Sequence, residues 1–181
     1  MFRRGSTFRE VLEMIVLTVA IFLVVRVALQ NFRVEGDSMN PTLQDAEYIL
    51  VNKVDYFLHS PQRGDIVVFH ATPAGQPDKD FIKRIVGLPG DTVQVNNGSV
   101  FINGRRLPET SYQHTVPDYS WGPERVPSGD YFVLGDNRNN SEDSHLWKWL
   151  PRSDIIGKAW ISYWPLNQLH LFQAALTPPL D

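Results

Sequence analysis

The chain has 181 residues, 43% of them hydrophobic, and a formal net charge of −3, which is enough apolar material for one ordinary packed domain or a small one with an appendage. It has no cysteine, which removes thiol nucleophiles, disulfides and cysteine-ligated zinc together and suits an exported domain, although many cytosolic proteins also lack cysteine. No long basic run is present, so a nucleic-acid partner, whose phosphates call for a concentrated Lys/Arg surface, is not expected.

The first element is apolar. Residues Leu12 to Leu29 contain only Glu13, Thr18 and Arg26 as polar interruptions, and as a helix they would span roughly 27 Å, close to a hydrocarbon core of about 30 Å. Glu13 and Arg26 fall near the ends, where the arginine can snorkel to the interface. A cleavable signal peptide is the rival reading, since the run Met14 to Val25 has the length of a signal core, but a cut after Ala28 would need a small residue where Arg26 stands. Arg3, Arg4 and Arg9 precede the span, and the positive-inside rule keeps that end in the cytoplasm. The expected organisation is a cytoplasmic segment 1–11, a transmembrane anchor 12–29, and an extracytoplasmic domain 30–181.

The stretch Gly36-Asp37-Ser38-Met39-Asn40-Pro41-Thr42-Leu43 follows. Gly36 permits unusual backbone angles, and Pro41 pushes Asn40 towards an extended conformation, so Ser38 sits in a constrained loop between apolar residues. A plain connecting turn would use the same residue types. Beyond it the period changes to two. Strands are predicted at 48–51, 66–69, 81–86, 92–95, 100–102, 131–134 and 159–163. Asn97-Gly98 and Asn103-Gly104 signal hairpins, and Pro108, Pro117, Pro123 and Pro127 make 96–128 a loop-rich insertion. No soluble amphipathic helix is predicted, and Pro178-Pro179 reads as a frayed end. The fold class is mainly β, an antiparallel domain with a small hairpin and loop insertion after one N-terminal helix.

Two further stretches carry candidate chemistry. In Phe81-Ile82-Lys83-Arg84-Ile85-Val86-Gly87-Leu88-Pro89-Gly90-Asp91 two basic residues interrupt an apolar strand, and alternation sends Lys83 and Arg84 to opposite faces. A half-exposed edge strand would accommodate both charges in water. A buried Lys83 would instead lose its proton more easily and become a usable general base. The cluster Gly135-Asp136-Asn137-Arg138-Asn139-Asn140-Ser141-Glu142-Asp143-Ser144-His145 fits a hydrogen-bonded turn. It fails as a calcium loop, because Arg138 or Lys148 falls on a ligand position. His59, His70, His114, His145 and His170 show no metal spacing. Asn97-Gly98-Ser99 and Asn139-Asn140-Ser141 match glycosylation sequons, a weak signal without a eukaryotic secretory context.

Together these blocks resemble the type I signal peptidases, membrane-anchored serine proteases of the Ser/Lys class. GDSMNPTL resembles the nucleophile box, RGDIVVF (Arg63 to Phe69) the following strand, FIKRIVGLPGD the lysine box, and GDNRNNSEDSH the final box. They stand in the family's order after one span and cover most of the chain to about Trp164. The resemblance implies a β-rich catalytic domain with a small cap and removal of signal peptides from secretory preproteins after A-x-A. It also implies attachment to the lipid bilayer of the cell membrane and no metal or cofactor. Carried over, Ser38 is the nucleophile and Lys83 the base. Ser141 would orient the lysine, with Asp136, Asp143, Arg84 and Arg138 in support. Val34, Met39, Leu43, Phe81 and Ile82 would line the substrate pockets.

Two positions depart from the pattern. Some members carry a serine at the Gly36 position whose hydroxyl completes the oxyanion hole, so in this chain only the Ser38 N–H carries over. His145 stands where others have arginine, leaving the partner of Asp143 open. A Ser/Lys autoproteolytic repressor would need a DNA-binding helical module in place of the span. A non-catalytic anchored β-domain that binds extracytoplasmic ligands is the other alternative.

Overall fold

The computed structural model describes residues 4–109, 112 and 114–172; the 178–179 tail lies outside them. Helix α1 (Arg4–Ala28) is long and apolar enough to cross a membrane, and none of its apolar window within Phe8–Ala28 is buried by the rest of the described residues. Glu13 is paired with Arg9 one turn earlier at 2.7 Å, and the Thr18 hydroxyl donates to Met14 O, so these two polar side chains are satisfied within the helix. The helix starts before the predicted 12–29 and ends one residue sooner. Leu29 is taken by the sheet, because its strand pairs along its whole length from Leu29↔Asn52 to Arg33↔Tyr48.

The strands in chain order are β1 (Leu29–Arg33), β2 (Tyr48–Asn52), β3 (Ile66–Ala71), β4 (Gln76–Gly87), β5 (Thr92–Asn96), β6 (Ser99–Ile102), β7 (Arg105–Arg106), β8 (Trp121–Arg125), β9 (Asp130–Leu134), β10 (Leu150–Pro151), β11 (Ile155–Trp164) and β12 (His170–Leu171). The large sheet runs β1-β2-β11-β3-β4-β9-β10 with β12 on β11, and the small one β7-β6-β5-β8. Every pairing is antiparallel. Both Asn-Gly pairs make the tight turns expected of them, with φ of 49° and 71° at 97–98 and 54° and 80° at 103–104. Besides α1, the α-helices among the described residues are the single turns α2 (Asp55–Leu58) and α3 (Ser144–Trp147).

The centre of the large sheet is apolar on both faces. In β3, Ile66 and Val68 pack with Val34, Met39, Leu43, Ile49, Val51 and Ala159. Val67 and Phe69 pack on the opposite side with Ile85, Val133, Leu150 and Ile155. A third cluster joins Val86, Phe132 and Leu134 of the large sheet to Val93, Val95, Val100 and Ile102 of the small one. Lys83 and Arg84 therefore lie in the middle of a covered sheet, opposite Val67 and Ile66 on β3, instead of on an exposed edge.

Residues 34–47 leave the sheet as a closed loop. Val34 N donates to Glu47 O at 2.7 Å and Ala46 N to Val34 O at 2.9 Å. The buried Glu47 carboxylate accepts from Gln44 N at 2.9 Å and from the Ser162 hydroxyl of β11 at 2.6 Å. Closing this loop puts Ala46 at a φ of 66°, where a Cβ costs about 1–2 kcal/mol. Ala46→Gly should stabilise the protein by about 0.5–1 kcal/mol once the greater flexibility of unfolded glycine is subtracted. Thermal unfolding of the detergent-solubilised chain measures this, and a lower melting temperature for the variant would contradict it.

Candidate active site

The closed loop carries Ser38 against the middle of β4. Lys83 Nζ lies 2.7 Å from Ser38 Oγ and donates to Ile82 O at 3.0 Å, with the Phe81 ring 5.2 Å away. Only 4% of Lys83 is exposed. Burial is the main effect on the ammonium and lowers its pKa from 10.5 to about 8, against the opposing pull of Asp143, Glu142 and Asp136.

Those carboxylates belong to a network behind the pair. Asp136 takes both arms of Arg84, Nε at 2.8 Å and Nη2 at 2.7 Å. It also accepts from the Thr42 hydroxyl on the nucleophile loop. Arg84 donates to Gly64 O at 2.9 Å and its guanidinium lies 3.8 Å over the Tyr112 ring. Both neighbouring basic residues of β4 are thus buried, but only the arginine has a carboxylate partner. Asp143 accepts from Gly135 N at 2.9 Å and from His145 Nδ1 at 2.6 Å, so the histidine is the partner the sequence left open. Its ring stacks on Tyr119 at 4.2 Å and 18°.

Gly135 sits where the three motifs converge. A Cβ there would lie 2.3 Å from Ser141 Oγ and 2.4 Å from Ser38 O, so only glycine permits this close approach. The Asn137 N–H donates to Ser38 O at 3.0 Å, and its side chain to Asp37 O at 3.1 Å, fastening the final box to the nucleophile loop. The Ser141 hydroxyl is buried and has no hydrogen-bond partner among the described residues. Arg138 is wholly buried; it donates to Gly135 O and pairs with Glu109. Burial works against the Glu109 carboxylate, yet the hydrogen bonds and charge of Arg138 hold its pKa below the usual range. Glu109 and Tyr112 come from the insertion whose sequence signals were its Asn-Gly turns and its prolines, and their place beside this network was not legible there.

A cleft of about 710 Å3 opens over Ser38 and Lys83 and is lined by Val34, Ile49, Val68, Phe81 and Ile82 among others. Met39 and Leu43, expected to line it, instead lie buried beneath, packed with Val34 in the core. They hold up the wall that Val34 forms. Among the described residues no group of three or more His, Asp or Glu could hold a metal ion.

The family described as "Signal peptidase, peptidase S26" matches residues 8–164. The chain belongs to that family. Similar relatives include the signal peptidase I of Leptolyngbya laminosa, 46% identical over 92% of this chain and 85% of the relative. The probable signal peptidase I-2 of Synechocystis sp. is 41% identical over 92% and 78%. The signal peptidase IB of Staphylococcus aureus strain COL is 33% identical over 88% and 93%. A crystal structure of a signal peptidase I from Enterococcus faecalis V583 is 31% identical and covers 55% of this chain and 97% of that one, with a TM-score of 0.45.

In this S26 serine endopeptidase the buried lysine has a cost that can be measured. The unfolded chain holds the Lys83 proton more tightly than the folded one, so stability falls as pH drops from 10.5 towards about 8 and is lowest below that. At 1.36 kcal/mol per unit the cost is about 3 kcal/mol. Lys83→Met, similar in volume and uncharged, should unfold at a higher temperature than the parent at pH 7. The advantage should shrink towards pH 10.5. A variant less stable than the parent at pH 7 would contradict the assignment of burial as the leading effect.

Proposed function

We propose that the chain removes signal peptides from secretory preproteins by a Ser38/Lys83 dyad, cutting after small residues in the A-x-A pattern. The observation that carries this reading is the 2.7 Å contact between Ser38 Oγ and a buried lysine whose pKa is lowered to about 8. A fraction of Lys83 on the order of a tenth is then unprotonated near pH 7, against fewer than about one in 10³ for a free lysine. The neutral amine takes the Ser38 proton as Oγ attacks the scissile carbonyl. The same proton passes to the leaving amine, and water activated by Lys83 hydrolyses the acyl-enzyme. Ser141, whose buried hydroxyl has no hydrogen-bond partner among the described residues, would turn to the amine and steady it between these steps. Val34, Phe81 and Ile82 form shallow apolar walls suited to small side chains on the signal side of the cut.

We further infer that α1 anchors the protein in the cell membrane as a single span. Arg3, Arg4 and Arg9 stay in the cytoplasm and the β domain lies outside. The precursor's signal segment would share the bilayer with α1 and reach the cleft from it.

Incubating the detergent-solubilised chain with a secretory precursor and sequencing the new N-terminus tests the activity. The expected cut follows an alanine with a small residue two places earlier, and kcat/KM rises with pH through an apparent pKa near 8. Ser38→Ala and Lys83→Arg should both abolish cleavage, the latter because a guanidinium keeps its proton. An active Lys83→Arg enzyme would rule out the dyad. For the topology, protease added to intact spheroplasts should digest the region from residue 30 onward, and protection of that region would reverse the orientation.

A further inference from the structure

The proposed reaction develops a charge that one donor does not fully meet. When Ser38 Oγ bonds to the scissile carbon, the carbonyl π pair moves onto oxygen and the hydroxyl proton moves to Lys83 Nζ. The resulting oxyanion needs hydrogen-bond donors until the amine departs with that proton. The Ser38 N–H is one. Gly36 has no side chain to offer, and its own N–H is engaged by Asp45 Oδ1 at 2.8 Å. Asn40 N–H is likewise turned away, to Asp37 O at 3.1 Å.

Among the polar side chains lining the cleft, Glu35, Asp37, Asp78, Asp80 and Glu142 are carboxylates, which accept hydrogen bonds and would repel an oxyanion. Of the donors, Lys83 is already the base. Lys79 stands four residues before it on β4, roughly 13 Å along the strand. Arg33 ends β1, outside the closed nucleophile loop, and although it is exposed like Asn140 no hydrogen bond ties its segment to Ser38 in the way that Asn137 ties Asn140. Asn140 remains, and its position is tied to the nucleophile. Its N–H donates to Asn137 O at 3.0 Å, and Asn137 N donates to Ser38 O at 3.0 Å. The side chains of Asn137 and Asn139 are both occupied, the first on Asp37 O, the second on Asp118 N and Val116 O. The Asn140 carboxamide lines the cleft with no hydrogen-bond partner among the described residues.

We propose that the Asn140 side-chain amide is the second oxyanion donor of this enzyme, completing the hole begun by the Ser38 N–H. The proposal rests on the Ser38/Lys83 reading. A carboxamide suits the task, since it donates two N–H groups without placing a fixed charge beside the base.

The test uses the full chain in detergent, a synthetic precursor peptide, a peptide aldehyde that adds reversibly to Ser38, and the cleaved product peptide. Asn140→Ala should lower kcat about 10²- to 10³-fold with KM changed by less than about threefold, as loss of one oxyanion donor does elsewhere. Aldehyde affinity should fall in parallel, because the hemiacetal oxygen occupies the same hole. Affinity for the product peptide and the melting temperature should stay at parent values. Asn140→Asp, which has the same shape but no donor when ionised, should lose at least as much. Parent-like kcat in Asn140→Ala, or a loss shared equally by the product peptide, would overturn the proposal. If Ser38→Ala is inactive while Asn140→Ala is fully active, only this inference fails; an active Ser38→Ala would remove the nucleophile assignment and this inference with it.

Discussion

Keeping an amine out of water beside a serine hydroxyl is the constraint on which the rest of this structure depends. Desolvation lowers the Lys83 pKa to about 8 and carboxylates oppose it. A bare carboxylate about 6 Å from an ammonium, at an effective dielectric near 20, attracts it by about 3 kcal/mol. That equals the net lowering of the Lys83 pKa, so unpaired acids nearby would restore an ordinary lysine. The structure gives each inner carboxylate its own hydrogen-bond partner, Arg84 for Asp136 and the His145 ring for Asp143, and their remaining pull on Lys83 is outweighed by burial. Glu142, the third, stands outside at the cleft and among the described residues accepts from the neutral Gln76 amide alone. The buried Arg84–Asp136 ion pair and the Asp143–His145 hydrogen bond are thus part of the lysine's chemistry as well as of the packing, and neither need add net stability.

Positioning follows from how three separate segments lock together. β4 delivers Lys83 from the centre of a sheet covered on both faces, so its backbone is held by β3 and β9. The 34–47 loop is closed on itself and tied to β11 through the buried Glu47 and Ser162. The final box meets that loop at Asn137 and at Gly135, where a missing Cβ leaves room for Ser38 O and Ser141 Oγ. Arg138, wholly buried, extends the lock to Glu109 in the segment between β7 and β8. Loosening any one contact would alter a 2.7 Å geometry that general-base transfer requires.

Much of this was legible in the chain itself, because runs such as Ile66–Phe69 and Tyr131–Leu134 bury both faces and tolerate little besides β-branched and aromatic residues. The two Asn-Gly turns were legible for a backbone reason, their positive φ. β1 was not, since Leu29-Gln30-Asn31-Phe32-Arg33 continues an apolar helix and exposes three of its five residues. Nor was β8, where Trp121-Gly122-Pro123-Glu124-Arg125 contains a proline and a glycine that speak against a strand. The small sheet accordingly starts at Thr92, four residues before the expected insertion. Met39 and Leu43 look like pocket residues by their place in the motif, and only the loop's curvature turns them into the core. The pairing of His145 with Asp143 is a contact two residues apart that composition cannot distinguish from a solvated turn.

The most direct measurement is the protonation of Lys83 itself. In the full chain labelled at the lysine Cε or Nζ positions, with Lys83 assigned by its loss in Lys83→Met, an NMR titration should show one amine with a midpoint near 8. An unperturbed lysine titrates near 10.4. The shifted resonance should also respond to Ser38→Ala, because the two side chains are in contact. A Lys83 midpoint at or above 10 would mean that the amine is an ordinary surface-like cation, and activation of Ser38 by a neutral lysine would be contradicted.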